Sequence, residues 1–91
     1  MSEKDDAEEL VPNYVGAEET KRGYVVRFNG ADETLRSLAG FVAEELKCCS
    51  FADYTIDVEP PYDETRLRIE GPDGTSEVFE EFVERMENSD W

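Results

Sequence analysis

The chain has 91 residues, with 9 lysines and arginines against 24 acids and a formal net charge of −15. That length suits one small domain with a modest core, and the charge argues against nucleic acid or an anionic membrane as partner, because both repel an acidic surface. No run approaches the roughly 20 apolar residues of a transmembrane helix, and the opening Met1-Ser2-Glu3-Lys4-Asp5-Asp6 lacks the basic and apolar regions of a secretory signal, so a cytoplasmic location is expected.

Residues 1–10 are polar and acidic, and their composition predicts a disordered N-terminus. Residues 11–87 read as a single α+β domain, with 88–91 as a C-terminal tail. Tyr24-Val25-Val26-Arg27-Phe28 is a short strand bounded by Gly23 and by Asn29-Gly30. Lys21-Arg22-Gly23 reads as the turn of a hairpin pairing roughly 13–19 with 23–28.

Asp32 is placed to cap a helix. After it Leu35, Leu38, Ala39, Val42, Leu46 and Cys49 fall on one stripe at about 100° per residue, which predicts an amphipathic helix with that stripe in the core. The pattern stops at Cys48-Cys49-Ser50.

Residues 53–59 alternate, with Tyr54, Ile56 and Val58 on one side and Thr55, Asp57 and Glu59 on the other. After the loop Pro60-Pro61-Tyr62-Asp63-Glu64, residues 66–70 alternate again, which predicts an antiparallel hairpin with one apolar face. Gly71-Pro72-Asp73-Gly74 is a turn. Val78, Phe79, Phe82, Val83 and Met86 then repeat at helical spacing, predicting a helix over about 75–87. The order β(β)αββα implies a small, mainly antiparallel sheet of three to four strands with two helices on one face.

The acids are spread over every element, and only Lys4, Lys21 and Lys47 are lysines. That pattern suits a halophilic, acidic protein: in roughly molar salt the Debye length is about 3 Å, so self-repulsion is screened. It also makes paired carboxylates weak signs of catalysis. There is no histidine for general-base work, no phosphate-binding glycine loop with a lysine, and no nucleophile–histidine pair. The expected function is non-enzymatic.

The chemically suggestive spot is the vicinal pair Cys48-Cys49. Adjacent thiols hold soft metal ions, close a disulfide, or exchange with a partner's disulfide. Adjacent Cα atoms lie about 3.8 Å apart, short of the usual disulfide span of about 4.4–6.8 Å, so a disulfide between them is strained. Neighbours in a regular helix diverge by about 100°, so chelation by both requires the helix to end at the pair. The carbonyls of a helix end and the nearby Glu44 and Glu45 disfavour a thiolate but attract a cation. The candidate metal ligands are therefore Cys48, Cys49, Glu44 and Glu45, and the ions they would take are Cu(I), Zn or Hg. The plain alternative is that the cysteines pack as small hydrophobes, leaving a small protein-interaction or regulatory module without metal, with a protein partner or a homodimer. A second feature is the charged sheet face, where Arg27, Arg66 and Arg68 are expected to pair across strands with Asp57, Glu59 and Glu70.

The stretch Phe41-Val42-Ala43-Glu44-Glu45-Leu46-Lys47-Cys48-Cys49-Ser50-Phe51, followed by Tyr54 to Val58 and Leu67-Arg68-Ile69-Glu70-Gly71-Pro72-Asp73-Gly74, resembles a family of small Cys-Cys proteins. These include haloarchaeal proteins labelled halo-CC-star and bacterial domains associated with metal or metalloid resistance genes. The resemblance covers roughly residues 23–85. The common bacterial pattern has proline after the pair, where this chain has Ser50. It implies a helix ending in the pair, then a hairpin and a last helix, with a role for Cys48 and Cys49.

Overall fold

The computed structural model describes the backbone of residues 3–88 and the side chains of residues 7–47 and 49–88. In chain order they form helix α1 (Glu3–Leu10), a short 3-10 turn (Val11–Asn13), strands β1 (Tyr14–Thr20) and β2 (Gly23–Asn29), helix α2 (Asp32–Cys48), strands β3 (Asp53–Val58) and β4 (Glu64–Glu70), and helix α3 (Thr75–Asn88). The fold is α+β, with one four-stranded antiparallel sheet in the order β1-β2-β4-β3.

Alternation decides the faces. Tyr24, Val26 and Phe28 of β2 pair with Ile69, Leu67 and Thr65 of β4 and lie buried on the helix side. Tyr54, Ile56 and Val58 of β3 continue the same three rows. α3 lies over β1 and β2 and buries Phe79, Phe82, Val83 and Met86. Chain reversals use residues that tolerate them. Gly30 adopts φ 84° between β2 and α2, its amide donating to the Asp63 carbonyl at 2.8 Å while its own carbonyl accepts from Thr65 Oγ1 at 2.6 Å. At Gly23 the constraint is space: a Cβ there would fall 1.8 Å from the Ile69 carbonyl oxygen.

On the opposite face, the sheet register sets Arg27 beside Arg66 and Arg66 beside Asp57, with Arg68 one row away beside Thr55. Like charges in register would repel, but acids interleave. Arg27 lies 3.8 Å from Glu64, Arg66 pairs with Glu59 and with Glu64, and Arg68 lies 3.8 Å from Asp57. Glu64 takes the place expected for Glu70. These partly exposed pairs each contribute about 0–1 kcal/mol; they neutralise the face rather than leave it open for an anion.

Three expectations are corrected. Within the stretch expected to be disordered, residues 3–10 form α1, and Ala7 and Leu10 are fully buried. Composition missed this because two small anchors suffice when a partner helix is waiting: α1 packs on α2, and Glu9 accepts a 2.6 Å hydrogen bond from Ser37. Residues 1–2 and 89–91, including most of the expected tail, lie outside the described residues. Asp32 is not the cap of α2. Ala31 holds that position without a side-chain hydrogen bond, and Asp32 and Glu33 instead supply negative charge to the first turn.

The third correction concerns how α2 is turned. Its buried residues are Thr34, Ser37, Leu38, Phe41 and Glu45. Leu35 and Val42 are half-buried, and Leu46 is 51% exposed. The buried face is rotated by about 100°, one residue's turn, from the apolar stripe. The reason is the neighbours. Phe41 stacks on Phe82 of α3 with centroids 4.9 Å apart, and the polar positions Ser37 and Thr34 find partners in Glu9 and in the Asn29 carbonyl. Val78, which opens the apolar repeat of the last helix, is likewise 53% exposed on α3.

Candidate functional site

α2 ends where the cysteines begin. Cys48 is its last residue, and Cys49 is the cap, with φ −126° and ψ 56°. The Cys49 amide donates to the Glu45 carbonyl at 2.7 Å, closing the final turn. The chain then leaves the helical path, so the two cysteines are not successive members of a regular helix, and the strict divergence of helical neighbours does not apply across them.

The Cys49 carbonyl is a junction. It accepts the Tyr54 hydroxyl at 3.1 Å and, more weakly, the Ala52 amide at 3.4 Å. These two donors satisfy one of the carbonyls a helix end leaves over. They also tie the end of α2 to the start of β3. Tyr54 in turn sits edge-on to Phe79 of α3, with centroids 6.2 Å apart, and Phe51 leans over the same ring at 6.4 Å. Phe51 is nevertheless 47% exposed. A change in backbone path at Cys49 would therefore be felt in β3, in α3 and in a surface aromatic.

Of the four candidate ligands, Cys49 is half-buried and packed against the core. The Cys48 side chain lies outside the described residues. Glu44 is half-buried and pairs with the exposed Lys47 at 3.5 Å. Glu45 is buried, at 8% exposure. Among the described residues, no group of three or more cysteines and carboxylates is arranged to hold a metal ion. A closed structural zinc site takes four ligands, most often cysteine and histidine, and this chain has two cysteines and no histidine, so carboxylates would have to complete one. A soft cation of low coordination number asks only for two thiolates, which is the donor set the cysteine pair offers.

The sequence reading missed a second surface. Leu35, Val42 and Leu46 carry a strong periodic signal, but periodicity gives an apolar face without saying what covers it. Tyr62, in the loop after β3 and equally an exposed anchor or a solvated loop aromatic from sequence, is 56% exposed and holds φ 66°, in the left-handed region rarely used by bulky residues. No helix in the described residues is long and apolar enough to cross a membrane. The chain matches no protein-family model, no curated protein and no solved structure.

Proposed function

We propose that this is a non-enzymatic, cytoplasmic protein whose vicinal cysteines bind a soft metal ion or sense a redox change. The observation that carries the reading is the helix end: α2 stops at Cys48, and Cys49 is its cap. A reducing compartment keeps such thiols available, and thiolates select soft ions such as Cu(I) and Hg(II). Cys48 and Cys49 are the ligands, and Glu44 and Glu45 add negative field beside them. The likeness of this stretch to small Cys-Cys proteins supports a role for the pair. In the redox form, an S–S bond closes between Cys48 and Cys49 as a partner's S–S bond breaks, and the two electrons and two protons given up by the pair leave the partner as two thiols. Either event alters the backbone at Cys49, and the Tyr54 hydroxyl bond to its carbonyl carries the change into β3.

Native mass spectrometry of the reduced chain, offered Cu(I), Zn(II) and Hg(II) in turn, tests this directly. Stoichiometric uptake of Cu(I) or Hg(II) that Cys48→Ser and Cys49→Ser each abolish is the expected result. Unchanged masses with all three ions, in a chain that stays folded and reduced, would refute metal binding and leave the thiol-exchange form to be tested with glutathione disulfide.

A further inference from the structure

Beside Leu38 and Phe41, α2 buries several polar side chains and leaves some apolar ones partly in water. A lone exposed leucine is ordinary; here Leu46 is exposed with Leu35 and Val42 half-buried on the same side, while Thr34, Ser37 and Glu45 are buried on the same helix, a break with local rule of the kind functional surfaces show.

The stripe runs beside an open sheet edge. Leu35, Val58 and Tyr62 line one groove together with Ala31 and Asp32. At the other end the Tyr54 hydroxyl reaches the Cys49 carbonyl. These two ties lay α2 along β3, with half-buried Ile56 and Val58 on the floor between them. β3 ends the sheet order and pairs with β4 through six consecutive positions without a register shift. The opposite edge, β1, is guarded: Pro12 precedes it and its register shifts between Tyr14 and Gly16. β3 has no such bulge.

We propose that this trough docks an extended segment of another protein, in which apolar residues alternate with Lys or Arg, as a fifth strand along β3. In an added strand successive side chains point to opposite faces. The apolar set fills the space between β3 and α2, and the basic set meets the acids around it. Charge chooses the occupant. Asp32, Asp53 and Asp63 border the trough as exposed residues with no ion pair among the described residues, and Asp57 and Glu59 share the same strand end. The cations nearest the trough are already paired, Lys47 with Glu44, Arg66 with Glu59 and Arg68 with Asp57, which leaves Asp32, Asp53 and Asp63 as the acids an added strand would meet. A second copy would bring the same acids and another net charge of −15, so like would face like. The surface does not depend on the thiol-pair reading.

The test is an amide chemical-shift titration of the isotope-labelled full chain. The probe is a synthetic peptide of about eight residues, the length of an ordinary strand, alternating Arg with Val or Ile. A peptide of the same composition with its arginines gathered at one end serves as control. The expected result is shifts confined to β3, the outward stripe of α2 and Tyr62, with the control at least about tenfold weaker. Leu46→Glu and Tyr62→Ser change exposed positions and leave the fold intact by circular dichroism, yet each weakens binding about tenfold. Leu46→Glu adds negative charge, so general attraction alone would strengthen binding there. Equal affinity for the control, shifts scattered over surface acids, no binding, or indifference to both substitutions would each overturn the proposal. So would sedimentation showing a dimer that Leu46→Glu dissociates, since the occupant would then be a second copy.

Discussion

The rotation of α2 makes a sharp forecast. Phe41 is 1% exposed and its ring stacks on Phe82 at 4.9 Å, whereas Leu46, five positions on, is 51% exposed. Truncating a buried phenylalanine to alanine costs about 3–5 kcal/mol through lost transfer energy and the cavity left behind. The ring pair lies within that figure and accounts for about 0.5–1.5 kcal/mol of it. Full burial of a leucine is worth about 1.5–3 kcal/mol, so one left half in water loses only about 1 kcal/mol. A domain of this length has a stability of roughly 5–14 kcal/mol, and each kcal/mol shifts its Tm by about 4–8 °C. Thermal unfolding followed by circular dichroism in molar salt is therefore expected to show Phe41→Ala melting at least about 12 °C below the parent, with Leu46→Ala within about 8 °C of it. The milder Phe41→Leu supplies a measurable intermediate if the alanine variant is unfolded throughout. If Leu46→Ala proves as costly as Phe41→Ala, the helix is turned the other way and the exposed stripe does not exist.

Removing the hydroxyl that holds the helix end, with Tyr54→Phe, is expected to cost about 0.5–1.5 kcal/mol and to speed amide exchange at residues 49–54; unchanged exchange would mean that the Cys49 carbonyl is not tied to β3. Alkaline titration is expected to separate the tyrosines. Burial, then the negative field of Glu87, raises the Tyr14 pKa despite Arg27, and burial with Glu19, Glu80, Glu84 and Glu87 raises that of Tyr24. A raised folded-state pKa means that stability from these rings is complete below pH 10.0, their ordinary value, and falls as pH rises through their folded pKa values. Tyrosinate absorbance that appears at the ordinary pH for all four tyrosines, with stability flat across that range, would contradict this. A net charge of −15 also predicts a Tm that climbs between 0.1 and 1 M salt, as the Debye length shrinks from about 10 to 3 Å; a flat or falling Tm would remove the halophilic reading.

Much of the fold was legible because the sheet obeys a simple period. In β3 and β4, strict alternation names both faces, and the Gly71-Pro72-Asp73-Gly74 turn fixes where α3 starts. The hairpin of β1 and β2 was visible from β2 and its turn, although β1 itself, Tyr14–Thr20, has little apolar signal. The rotation of α2 was not legible. Apolar spacing gives a stripe, but the buried face also depends on hydrogen bonds from other elements, and Ser37 is drawn inward by Glu9 of α1. α1 itself was hidden because only Ala7 and Leu10 distinguish it from an acidic tail. At the candidate site the helix stop was readable from Cys48-Cys49-Ser50. The Tyr54 contact was not, since it pairs a strand side chain with a backbone carbonyl and leaves no pattern in the residue types.

The strand order carries a kinetic consequence. β1 with β2, and β3 with β4, are hairpins between neighbours in the chain, closed by short connections that form in about 1–10 μs. The pairing at the middle of the sheet is different: it brings Gly23 to Glu70 and Asn29 to Glu64, with all of α2 and β3 looped between. The chain thus behaves as two quickly made clasps joined along one slow seam, and the entropy of closing that loop must be met before the seam's contacts are gained. Until it closes, β2 and β4 each present a bare apolar strand. The time spent in that state, rather than the stability of the finished sheet, sets how exposed newly made chains are to aggregation.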